Sequence, residues 1–110
     1  MAAIDVNGIT KQIITQATKL GGDTWTRIQK SAPLYFRGYA QALADIADGV
    51  RKGEITKAEA KIYTKNAKIL LVQAITNTAQ IMLYEVQSLV DKILGVLKTS
   101  INSKLPVPLL

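Results

Sequence analysis

A chain of 110 residues with a net charge of +6, 48% hydrophobic residues and only 5% aromatic ones fits one modest domain whose core is aliphatic. That apolar content excludes a disordered segment, which has too little to offset the entropy of ordering. Cysteine and histidine are both absent, which removes disulfides, thiol chemistry, the usual zinc sites and the usual proton shuttle near neutral pH.

Residues 1–8 read as an N-terminal arm and not as a secretion signal, since they carry Asp5 and no basic cluster. Asp5 or Asn7 caps a first helix over residues 9–20, where Ile9, Ile13, Ala17 and Leu20 share a face. Gly21 and Gly22 end it, because glycine takes the left-handed conformation at a helix C-terminus without a side-chain clash. Asp23 then caps a short second helix carrying Trp25 and Ile28, and Pro33 marks a new start.

Residues 34–52 are again helical in pattern. Phe36, Tyr39, Ala40, Leu43, Ile46, Ala47 and Val50 fall on one face, and Arg37, Gln41, Asp45, Asp48 and Lys52 on the other. Gly53 stops this helix. The connection to the next helix is so short that the two must be antiparallel neighbours, an αα-hairpin.

The rest of the chain is organised around residues 56–102, which read as one long helix or two helices nearly in line. Thr56 followed three places later by Glu59 is a capping box, so the helix starts at about Lys57. Its apolar residues repeat every eleven positions: Leu71, Met82 and Ile93 form one row, Ile75, Val86 and Leu97 a second, Ala79, Val90 and Ile101 a third, and Val72, Leu83 and Leu94 a fourth. Eleven residues make three turns, so the stripe stays almost parallel to the axis of a nearly straight helix. Thr76, Asn77 and Thr78, three weak helix formers in succession, and Gly95 favour a break.

No catalytic constellation emerges from the eight carboxylates. Only Asp45 and Asp48 lie close on one helix face, and they read as solvated, with Asp48 paired to Lys52. No metal site, phosphate-binding glycine loop or nucleophile elbow is found, so no cofactor and no small-molecule substrate are expected. Positive charge is concentrated: Arg51, Lys52, Lys57, Lys61, Lys65 and Lys68 stand against Glu54 and Glu59, and the last four lysines form a stripe along one helix face that suits an anionic surface, nucleic acid or lipid. Arginine-rich helices and interleaved aromatics, which nucleic-acid recognition favours, are missing.

The uncharged run over residues 69–84 is sixteen residues long and includes Gln73, Asn77 and Gln80, too short and too polar to span a membrane. Between Ile69 and Leu97 the only charges are Glu85, Asp91 and Lys92, so more than one side of this stretch must be covered. Either it folds back within the chain as a four-helix bundle, or neighbouring copies close the core; the second is favoured. The self-associating face is then Leu71, Ile75, Met82, Leu83, Val86, Val90, Ile93 and Leu97. Pro106 and Pro108 make residues 105–110 extended, an apolar tail whose Leu105, Val107, Leu109 and Leu110 dock in a partner's groove.

Together these features imply an all-α small bundle in one domain over residues 1–110. A non-catalytic assembly or scaffold component is expected, homo-oligomeric or joined to other protein subunits, intracellular or within an assembled particle such as a virion, secretion or storage assembly. Binding of the lysine stripe to nucleic acid or anionic lipid is the alternative.

Overall fold

Five helices account for most of the computed structural model, which describes residues 4–110 and contains no strand among them. Helix α1, Val6–Leu20, is capped by the Asp5 carboxylate, which accepts from the Gly8 N–H at 2.9 Å. Of the arm expected over residues 1–8, residues 1–3 lie outside the described residues and Val6 already begins the helix. Gly21 closes α1, and only glycine fits there, since a Cβ would sit 2.6 Å from the Ala17 carbonyl oxygen. The short α2, Gly22–Ile28, is not side-chain capped by Asp23, which falls inside its first turn. Helix α3, Ala32–Arg51, opens with proline in its first turn, where the missing N–H costs nothing. The chain reverses through Gly53 at φ 76° and enters α4, Lys57–Ala79, by the expected capping box: the Glu59 N–H donates to Thr56 Oγ1 at 3.1 Å, and the Thr56 N–H to the Glu59 carboxylate at 2.9 Å. Helix α5, Leu83–Ser103, completes the bundle.

The four long helices run alternately up and down. Each packs on two neighbours, α3 on α1 and α4, and α5 on α4 and α1, while α2 links α1 to α3 and touches α4 and α5. Extents of 41 × 22 × 20 Å match helices of this length lying side by side. The register of the outer pair is marked by Gln12, whose Nε2 donates to Ser100 Oγ at 2.8 Å. Aliphatic side chains from all four helices meet in one core, among them Ile9, Ile13, Leu43, Ile75, Val86, Ile93 and Ile101. The single tryptophan stacks on the single phenylalanine, Trp25 on Phe36, with ring centroids 6.3 Å apart.

Residues 56–102 are therefore not one continuous helix. Gln80 takes the left-handed conformation at φ 55°, ψ 45°, Met82 is extended, and α5 turns back along α4. A left-handed non-glycine residue costs about 1–2 kcal/mol. Leu71, Ile75, Val86, Val90, Ile93 and Leu97 are all buried in the resulting core, each contributing about 1.5–3 kcal/mol, so folding back wins easily. The break falls just after the weak formers Thr76 to Thr78, while Gly95 lies undisturbed inside α5. The eleven-residue rows straddle the break, and so mix buried Leu71 and Ile93 with exposed Met82.

The tail also turns inward. Leu105 is buried, and Val107, Leu109 and Leu110 are partly buried against the chain's own core. The Asn102 carboxamide holds the turn, its Oδ1 accepting from the Leu109 and Leu110 N–H groups at 3.0 and 2.9 Å and its Nδ2 donating to the Leu110 main-chain oxygen at 3.0 Å. The groove expected on a partner is supplied by the same chain, because the end of α5 leaves the apolar sides of α3 and α4 open beside it.

Candidate functional site

Of the eight residues assigned to self-association, Leu71, Ile75, Val86, Val90, Ile93 and Leu97 are spent on the internal core. Met82 and Leu83 are exposed at the connection between α4 and α5. A different apolar surface remains. Helix α4 is apolar on both sides, because Ala60, Leu71, Val72 and Ile75 face the core while Ile62, Tyr63, Ile69 and Leu70 face outward. Leu70 is 65% exposed, and the surface continues over the connection to Met82 at 61% and Tyr84 at 66%. No charged residue lies between Ile69 and Tyr84.

The lysine stripe lies on the flank of α4 that faces α5. Lys61, Lys65 and Lys68 line a groove of about 350 Å³, joined from α5 by Lys98 and Asp91 and from the tail by Leu109 and Leu110. Lys68 Nζ pairs with the Asp91 carboxylate at 2.7 Å. Lys61, Lys65 and Lys98 make no ion pair with any of the described residues. Lys57 stands one turn nearer the start of α4, beside Val107 to Leu110. Arg51 and Lys52 are not part of this groove: both bind Asp48, Lys52 Nζ at 2.9 Å. Arg51 and then Lys52 hold the Asp48 carboxyl below its usual range, and Asp48 in turn raises the Lys52 ammonium.

Two residues that sequence periodicity alone did not single out also border the groove, with their hydroxyls buried beneath it. Tyr39 on α3 is 3% exposed and Thr64 on α4 is 7% exposed, and neither hydroxyl has a hydrogen-bond partner among the described residues. Thr10, Thr18 and Thr26 each donate to the carbonyl four residues back, the ordinary resting place for a helical threonine hydroxyl, whereas the Thr76 hydroxyl, outside the groove, is buried without a partner among the described residues as well. Burial without a partner pushes the Tyr39 phenol well above its usual range. Only their high burial, seen after folding, identifies these two groups, because Tyr39 reads as ordinary core in the helical pattern.

A cavity of about 650 Å³ lies at the other side of the tail and includes Asp45 and Asp48. Both carboxylates are already engaged, Asp45 by Gln41 Nε2 at 2.9 Å and Asp48 by its two cations. Among the described residues no three acidic, histidine or cysteine side chains converge as metal ligands, and no helix is long and apolar enough to cross a membrane. The chain matches no protein-family model, and neither curated proteins nor solved structures show significant similarity to it.

Proposed function

We propose that the protein is a non-catalytic assembly or scaffold component, intracellular or within an assembled particle, that self-associates through the uncharged outer surface of residues 69–84. The observation that carries this reading is the two-sided apolar character of α4. A helix at the surface of a monomer ordinarily shows a charged outer face, whereas this one presents Ile69, Leu70, Gln73 and Asn77, and then Met82, Leu83 and Tyr84 beyond the break. Such a surface is suited to a twofold contact, in which one patch meets its own copy, with the Asn and Gln side chains satisfying one another and the aliphatic groups leaving water.

Sedimentation equilibrium tests the proposal. The parent protein is expected to form a dimer or larger species at tens of micromolar. Leu70→Glu combined with Met82→Glu is expected to give a monomer with an unchanged helical circular-dichroism signal, since both side chains lie outside the core and a charge in a closed interface is heavily penalised. A monomeric parent, or variants that associate as tightly, would refute it.

A further inference from the structure

The lysine groove does not stand alone. It shares Lys61, Leu109 and Leu110 with a second, mostly apolar cleft of about 500 Å³ between α3, α4 and the tail, lined by Val50, Ala60, Val107 and Pro108. A volume of that size is within the range of ordinary ligand sites. One end of the combined depression is therefore cationic, and the other is mostly apolar, with Lys57 also in its lining.

We infer that the depression binds a single-chain amphiphile with a phosphate monoester head, the head held by Lys61, Lys65 and Lys98, and the chain lying against Val50, Ala60 and the tail. The charge fits: four lysines against the one carboxylate of Asp91 leave a surplus of three positive charges, and a phosphate monoester brings about −1.5 to −2 at neutral pH. Its three acceptor oxygens accept from several ammonium donors at once, in the short charge-assisted bonds that such groups favour. A purely polar anion would leave the apolar cleft empty, and a neutral amphiphile would leave the lysines unanswered. This site occupies the α5 flank of α4, away from the outward-facing Leu70 and Met82, so its occupancy and self-association are separable.

Titration calorimetry of the full chain, with dodecyl phosphate below its micelle concentration, is the test. Dodecyl phosphate is expected to bind at least tenfold more tightly than either inorganic phosphate or dodecyl maltoside. Lys65→Gln combined with Lys98→Gln, both exposed and so harmless to folding, is expected to weaken it at least tenfold. Equal affinity for the neutral amphiphile, equal affinity for phosphate alone, undiminished binding by the lysine variant, or binding only to phosphatidate-containing vesicles and not to the monomeric ligand would each overturn the inference.

Discussion

Asn102, in the last turn of α5, makes three hydrogen bonds to the main chain of residues seven and eight places further on, clasping Leu110 from both sides of its peptide. Through this one side chain the tail becomes a wall of both the lysine groove and the apolar cleft.

Asn102→Ala removes all three bonds while leaving the helix itself intact. At roughly 1 kcal/mol net for each bond, discounted because the tail is partly exposed, the loss should be about 1–2 kcal/mol. Hydrogen exchange at the Leu109 and Leu110 amides should accelerate well beyond that of the core helices. Unchanged protection of these two amides would mean that apolar packing of the tail, not the carboxamide, sets its position.

Gln80 gives a test in which a folded-back chain and a continuous helix predict opposite signs. In the observed bundle it is left-handed, so Gln80→Gly relieves backbone strain and should raise stability by about 1 kcal/mol, or roughly 4 °C in Tm. Were residues 56–102 a continuous helix, the same change would sit in a helix interior and lower stability by about as much. Thermal unfolding of the two proteins decides between them.

Tyr39 links burial to pH. Its phenol stays protonated in the native state to a pH well above the unfolded value of about 10, so the native state binds the extra proton and stability falls as pH rises above about 10. Tyr39→Phe should abolish that part of the alkaline loss, and at neutral pH should stabilise the fold by about 1 kcal/mol through removal of an unpaired buried hydroxyl. Denaturant unfolding of both proteins at pH 7 and pH 10.5 measures the two effects; a variant less stable at pH 7 would show that the hydroxyl has a partner, such as water.

Local structure is legible wherever a residue acts on its immediate neighbours. The Thr56–Glu59 box, the stop at Gly53 and the Asp48–Lys52 pair all depend on side chains within four positions of one another, and all appear as the sequence suggests. The fold class is equally clear from periodicity. Competition at long range decides the rest. The regular rows through Leu71, Met82 and Ile93 look continuous, yet the gain from burying Val86, Val90, Ile93 and Leu97 against α1 and α4 outweighs the small cost of a left-handed Gln80. Sequence alone sends the tail to a partner because no local helix offers it a groove, and the groove is built from Val50 and Ala60, far away along the chain. The lysine stripe itself is visible, but its setting beside Lys98 and two orphaned hydroxyls arises only when α3, α4 and α5 come together.

The central claim, that two copies meet on the outer side of α4, is open to a direct distance measurement because the chain has no cysteine of its own. A spin label attached through Gln73→Cys, on the exposed side of α4 between Leu70 and Asn77, should report a short, well-defined intermolecular separation, as expected for helices packed with axes about 8–10 Å apart. A label at Lys11→Cys, exposed on α1, should show none so short. A label at residue 73 without an intermolecular dipolar signal at tens of micromolar, or a shorter separation from residue 11, would contradict the account.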